Sequence, residues 1–319
     1  MRRLTYSEFL KCRDEFAAAV GRSTELSPLC TGPTWQTAAH DSLHGIGPEA
    51  AHFIVESEGD WLVFVERDPP RVYFPLESGW LFGSPLVGEP DRLPDLLLKA
   101  ARDFLPSPVG FCIGGVPAEG RLHRSLRARR EFCRQFEEFP TTDCMIVDLD
   151  DGFDAWLARR SKRFRRSMKG LPGGESIEIE DGAAGDPSES FERILAIQRR
   201  TYKWREGEDI FQDDSYAAFY RGLLEQLHAT GELRLLFARR AGADVGYIFG
   251  GVAGSDYRGF QMSYVESVRE LGVGNALQLE NLRRRADESI VRYDLGMHAA
   301  YKERWADRRK AFVAVFMVL

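Results

Sequence analysis

Between Tyr264 and Ala276 the sequence reads Tyr264-Val265-Glu266-Ser267-Val268-Arg269-Glu270-Leu271-Gly272-Val273-Gly274-Asn275-Ala276. A β-rich run ends, a loop carries Arg269, Gly272 and Gly274 in the spacing R-x-x-G-x-G, and a helical pattern begins. Such a junction leaves the first amides of the helix without intrahelical partners, at the positive end of its dipole. Glycine lets the backbone approach a ligand closely, so Arg269, Gly272, Val273, Gly274 and Asn275 suit a pyrophosphate. The plainer alternative is a strand–helix turn in which glycine only relieves strain. A P-loop is a poor fit, because no Lys-Ser/Thr pair follows the glycines.

Other side chains could handle protons or anions. Asp294 and His298 close a strand-like run, and either can take the proton that an attacking amine must lose. Asp294 can equally hold the turn at Gly296 through its side chain, and Glu266 is a further carboxylate beside the glycine loop. Arg159 to Lys169 holds seven basic residues. They form either a wall for an anionic ligand, with Arg163 as a contact, or a solvated face. Trp204, with Tyr202, Phe211 and Trp305, lines an acceptor pocket or belongs to the core. His40, His44 and His52 cluster without a further ligand at metal spacing, so no metal is expected. Cys12, Cys30, Cys112, Cys133 and Cys144 include no CxxC pair, and reduced thiols are expected instead of a disulfide framework.

The elements that must position these groups fall into two halves. Before residue 142 the pattern predicts a helix over Tyr6–Val20 and strands over His52–Ser57, Trp61–Glu66 and Arg71–Leu76, the first two joined at Gly59-Asp60. A helix over Leu93–Phe104 follows, then a strand over Val109–Ile113 and a basic helical stretch, Arg121–Arg130. Strands over Glu131–Pro140 and Asp143–Leu149 lead into the second half. There a helix over Phe153–Lys169, capped by Asp151 or Asp154, ends at a Pro-Gly-Gly break at 172–174. A strand over Ser176–Glu180 and helices over Ser188–Tyr202 and Asp214–Thr230 come next. Three antiparallel strands, Leu233–Arg239, Val245–Val252 and Tyr257–Val265, precede a helix over Asn275–Glu288 and strands over Ile290–Leu295 and Ala311–Leu319. This order fits an α+β fold better than a regularly alternating one.

The R-x-x-G-x-G junction resembles the acyl-CoA pyrophosphate loop of GNAT acetyltransferases, and the three strands before it resemble the same fold. A narrower resemblance covers Phe153–Arg304. The basic helix, Tyr202-Lys203-Trp204, the glycine loop, Tyr293-Asp294-Leu295-Gly296 and Tyr301-Lys302 follow one another as in the branch related to Fem peptidyltransferases and cellulose-biosynthesis-associated acetyltransferase-like proteins. That resemblance implies two tandem GNAT-like domains, each a mixed, mostly antiparallel sheet flanked by helices. The first, 1–142, is degenerate, and the second, 143–319, binds acyl-CoA. It implies direct transfer of an acyl group from acetyl-CoA or a longer acyl-CoA to an amine, without a metal. A backbone amide near Val265 polarises the thioester, Tyr301 protonates the departing thiolate, and Asp294 or His298 serves as base. Trp204, Lys302 and Arg163 meet the acceptor, a small molecule or a cell-envelope precursor. The implied alternatives are a Fem-like transferase using aminoacyl-tRNA, with RNA on the basic helix, and a non-catalytic binding module. The long coiled-coil arm of many cell-wall Fem proteins has no counterpart, since no heptad run is present.

Composition bounds these readings. A chain of 319 residues exceeds what one core usually organises. A net charge of −6 argues against a surface devoted to nucleic acid. No run approaches the roughly 18 apolar residues of a membrane span. The basic N-terminus is followed by charged residues instead of an apolar signal core, so a cytoplasmic protein is expected.

Overall fold

The computed structural model describes residues 1–42, 51–67, 71–169 and 177–319. The chain divides into two compact units, Met1–Asp143 with Lys310–Leu319, and Cys144–Arg309. Each is a mixed sheet with helices on its faces, and the fold is α+β.

In the first sheet the strands lie in the order Arg2–Leu4, His52–Ser57, Asp60–Arg67, Val72–Pro75, Gly110–Pro117, Phe312–Val318, Gln135–Pro140. Neighbours run antiparallel, except that Val72–Pro75 and Gly110–Pro117 are parallel. The second sheet has the order Glu178–Asp181, Leu233–Arg240, Ala243–Ala253, Asp256–Tyr264, Arg292–Met297, Cys144–Asp148, Arg308–Lys310, and there Asp256–Tyr264 and Arg292–Met297 are parallel. The two orders correspond position by position. In each, one helix bridges the parallel pair: Leu93–Phe104 in the first unit and Val273–Asp287 in the second.

Three expectations change. The terminal strand, assigned by sequence to the second domain, lies in the first sheet between Gly110–Pro117 and Gln135–Pro140. Its sequence FVAVFMV is apolar at every position, which suits a central strand covered on both faces. The corresponding place in the second sheet is taken by Cys144–Asp148, whose first four residues are buried. The helix expected over Phe153–Lys169 is two, Gly152–Arg159 and Lys162–Lys169. The chain is extended at Arg160, whose guanidinium reaches the carbonyls of Trp305 and Ala306 and the carboxylate of Asp307. Asp151 precedes the first of these helices but makes no side-chain cap. The N-terminal helix likewise turns at Cys12, giving Tyr6–Lys11 and Arg13–Arg22. The break expected at 172–174 lies outside the described residues, as does His44. No helix among the described residues is long and apolar enough to cross a membrane.

Candidate active site

Helix Val273–Asp287 sits on the second sheet through Val273, Leu277 and Leu282, each fully buried and each contributing about 2 kcal/mol. Gly246 permits the close approach, since a Cβ there would lie 3.0 Å from Val273 Cγ1 and 3.2 Å from Leu277 Cδ1. The same buried face carries two amides. Asn281 Nδ2 donates to Tyr257 Oη at 2.8 Å and to Tyr293 Oη at 2.6 Å, and Gln278 Nε2 donates to Tyr293 Oη at 2.7 Å. Tyr257 and Tyr293 are register partners on the two parallel strands. The helix is therefore tied to both strands at the level where they join.

Beyond that level the strands part. They pair only at Asp256↔Arg292, Tyr257↔Tyr293 and Arg258↔Asp294, while Gly259–Tyr264 keeps its antiparallel partner on the other side. Val265 donates its amide to Val245 O at 2.9 Å, so among the amides near this position its own is already engaged. That bond also sets the phase of the ladder. Hydrogen-bonded and non-bonded pairs alternate along antiparallel strands, so the amides of Met262 and Tyr264 point to the edge that the neighbouring strand has left.

The glycine loop stands at the end of this opening. After a 3-10 turn over Glu266–Leu271, Gly272 adopts φ 68°, a left-handed conformation that favours glycine, and starts the helix without a side-chain cap. Val273, Gly274 and Asn275 are the first residues of the helix and precede its i→i−4 ladder, which begins with Ala276 donating to Gly272 O at 3.1 Å. Gly274 admits the ring of Tyr264, whose Cε1 would be 3.0 Å from a Cβ at that position. Arg269 is exposed beside the loop. Arg304 adds a cation that sequence reasoning missed, its Nη2 donating to Asn275 Oδ1 at 2.8 Å.

At the vertex, buried Arg258 pairs with the carboxylate of Asp294, and Arg258 Nη1 lies 3.3 Å from Cys144 Sγ. The other oxygen of Asp294 accepts the amide of Gly296 at 2.7 Å. Both oxygens are engaged, and Asp294 holds the Gly296 turn (φ 81°) instead of standing ready as a base. Lys302 Nζ donates to Met297 O at 2.8 Å. Burial lowers its pKa to about 8, with Asp294 opposing and Arg258 reinforcing that shift. Tyr301, half exposed at 49%, has its phenol raised by burial and then by Tyr264. His298 is exposed at the rim, with Nε2 2.9 Å from Glu303 Oε1.

The acceptor side is edged by the short helix Tyr202–Glu206, capped by Thr201 and ended by Gly207 in the left-handed region. Arg205 pairs with Glu266, and the amide of Glu266 donates to Arg200 O at 3.2 Å, so this helix and the glycine loop are held together. Trp204 is half-buried there. Arg163 is apart from the vertex groups, exposed on helix Lys162–Lys169, whose Phe164 and Met168 are buried. In sequence, Arg258 was marked only by its charge within an otherwise strand-like run, and nothing local paired it with Asp294.

The equivalent opening in the first unit is filled by its own chain. Gly115 donates its amide to Leu81 O at 2.9 Å, and a Cβ on Gly114 would meet Leu81 Cα at 2.7 Å. The filling segment is fastened by Glu77, a fully buried carboxylate that accepts the amide of Gly83 and the indole N–H of Trp35. Elsewhere in this unit His40 Nε2 meets His52 Nε2 at 2.9 Å. The five cysteines form no disulfide, and Cys30, Cys112 and Cys144 are buried.

A parallel strand pair that splays beside an uncapped helix N-terminus, repeated in topology but open only once, defines a tandem GNAT-like protein. Residues 157–303 match the family model described as an acetyltransferase (GNAT) domain. Over 98% of this chain and 97% of the other, the fold is similar to the crystal structure of FemX, with 12% identity and a TM-score of 0.71. A conserved protein of unknown function from Bacteroides thetaiotaomicron aligns over 97% of each chain at 14% identity, TM-score 0.63. A tandem GNAT protein from the clavulanic acid biosynthesis pathway aligns over 99% of this chain and 97% of that one at 14% identity, TM-score 0.53. No curated protein matches the sequence. The fold of the chain is thus similar to that of tandem GNAT proteins, and these likenesses concern the fold alone.

Proposed function

We propose that the second unit transfers an acyl group from acyl-CoA, acetyl-CoA being the first candidate, to an amine of an acceptor by direct attack. The observation that carries this reading is the alignment of two sets of amides, Met262 and Tyr264 turned by ladder phase to the open edge and Val273, Gly274 and Asn275 in the first turn of the helix. An extended pantetheine suits the first pair, and a pyrophosphate suits the second group together with Arg269 and Arg304. The amide of Met262 or Tyr264, close to Val265 in the strand, then polarises the thioester carbonyl.

The amine nitrogen attacks that carbonyl and the carbon–sulfur bond breaks. The proton lost by the nitrogen passes to His298 Nδ1, the ring's Nε2–H being held by Glu303. The sulfur takes a proton from Lys302. Its pKa of about 8 is close to the ordinary value of a thiol, near 8.5, whereas burial makes Tyr301 a weaker acid than a free phenol. Tyr301 is left as a hydrogen-bond donor at the mouth, and Trp204 as a wall for the acceptor. Calorimetric titration with acetyl-CoA and longer acyl-CoAs, alongside Gly272→Trp, tests the donor site. Saturable binding that the variant loses supports it, and a well-folded protein that binds no acyl-CoA refutes it.

A second reading, an aminoacyl-RNA donor, is favoured by one observation. Lys162, Arg163, Arg165, Arg166 and Lys169 are all exposed, and none forms an ion pair among the described residues. RNA affinity that falls steeply with salt and weakens in Arg163→Glu would move the donor to that class.

A further inference from the structure

Three buried polar atoms of the second unit lack hydrogen-bond partners: Gln198 Oε1, Asp209 Oδ2 and Tyr247 Oη. Their residues are 3%, 5% and 0% exposed. Gln198 ends helix Pro187–Gln198, Asp209 caps the 3-10 turn Ile210–Gln212, and Tyr247 lies on strand Ala243–Ala253. Gln198 Nε2 is 3.4 Å from Asp209 Oδ1, and the Asp209 carboxylate is near enough to act electrostatically on the Tyr247 phenol. Around them stand Phe211 and Tyr220, with ring centroids 5.2 Å apart. The Tyr220 hydroxyl accepts from Gln261 Nε2 at 2.8 Å.

An orphaned buried acceptor costs roughly 1–3 kcal/mol, and a charged one more, so such a group calls for an explanation. Here one is a carboxylate oxygen and one an amide carbonyl oxygen, and both can only accept. Asp209 forms no ion pair within 4 Å among the described residues, and burial raises its pKa against the opposing pull of the Phe211 amide, Lys203 and Thr201. What the three atoms lack together is a compact group with several N–H donors and a positive charge. A primary ammonium has three donors and one charge, and the aromatic rings beside it suit both a cation and the alkyl chain that carries it. The place is also informative. Tyr247 is the register partner of Ser263, on the strand that carries Met262 and Tyr264, and Gln261 of that strand donates to Tyr220 beside the cluster.

We infer that Gln198, Asp209 and Tyr247 form a subsite for a primary ammonium group of the acceptor, so that the acceptor is an amine-bearing compound recognised through that charge. This rests on the acyl-transfer reading for the identity of the site, but its test does not need turnover. The probe is n-pentylamine, with 1-pentanol as its uncharged counterpart, titrated calorimetrically into the full chain without acyl-CoA. Wild-type protein is expected to bind the amine saturably and at least tenfold more tightly than the alcohol. Asp209→Asn, which keeps an oxygen to cap Phe211, should lose at least tenfold in amine affinity, melt no lower than wild type, and bind acetyl-CoA unchanged. Tyr247→Phe should weaken the amine several-fold and serves as a second variant should the first fold poorly. Amine binding no tighter than that of the alcohol would mean that the cluster holds a bridging water only, and would overturn the inference. Equal amine binding by wild type and Asp209→Asn would overturn it too. Failure of wild-type protein to bind acetyl-CoA, by contrast, would strike the acyl-transfer reading while leaving the amine result legible.

Discussion

Replacing Lys302 by methionine should make the protein more stable at pH 7 while removing activity. Burial lowers this ammonium from 10.5 to about 8. At 1.36 kcal/mol per tenfold change in proton affinity, holding the charge in the folded protein costs about 3 kcal/mol below pH 8. Methionine fills similar space without the charge but forfeits the hydrogen bond to Met297 O, worth roughly 1 kcal/mol. The net gain at pH 7 is therefore about 1–2 kcal/mol. Its pH dependence follows from linkage. The folded pKa is depressed, so between about 8 and 10.5 the unfolded chain holds more protons, and wild-type stability rises with pH across that window. The advantage of the variant should shrink from pH 8 upward and be gone near pH 10. Thermal melts of both proteins at pH 7, 8 and 9.5 measure this, and thiol release from acetyl-CoA with an accepted amine should fall by 10²–10⁴. A variant that is less stable at pH 7, with a difference that does not change with pH, would refute the claim that burial tunes Lys302.

Three further outcomes follow from the geometry. Asn281→Leu removes the donor shared by Tyr257 and Tyr293; it should cost about 2 kcal/mol in chemical denaturation and weaken acyl-CoA binding through the loosened helix. Arg304→Ala should weaken acyl-CoA binding in calorimetry by roughly five- to tenfold, as expected for loss of one cation near a pyrophosphate, with little effect on the maximal rate. Glu77→Leu leaves the Trp35 indole and the Gly83 amide without their acceptor; it should lower the melting temperature at a cost of about 2–4 kcal/mol yet leave acyl-CoA affinity unchanged.

Much of this architecture was legible because local patterns and tertiary needs agree. Leu93–Phe104 occupies the bounds its periodicity predicts, and the hairpin at Gly59 forms where two alternating runs meet. The glycine loop was legible for the same reason: strand, R-x-x-G-x-G and helix are all local signals. What stayed hidden was decided at long range. The break at Arg160 depends on carbonyls 145 and 146 residues away in the chain. The role of Val265 depends on ladder phase, which a one-residue change inverts. The identity of Lys302 as the perturbed group depends on burial and on Arg258, neither of which its neighbours in sequence reveal.

The repeat of topology sharpens the assignment of the site to the second unit. Both sheets contain a parallel pair bridged by a helix, so both had the means to open a wedge. In the first, Leu81 and Gly83 crowd against Gly114 and Gly115, and a Cβ on Gly115 would come within 2.4 Å of the Gly83 backbone. Glycine at those two positions is therefore required by the filling segment, and the same residue type that starts the helix at Gly272 in one unit seals the wedge in the other. Counting glycines cannot separate these uses. The distinction lies in the surroundings: the amide of Gly115 is spent on Leu81 O, while Val273, Gly274 and Asn275 form the first turn of a helix that has no side-chain cap.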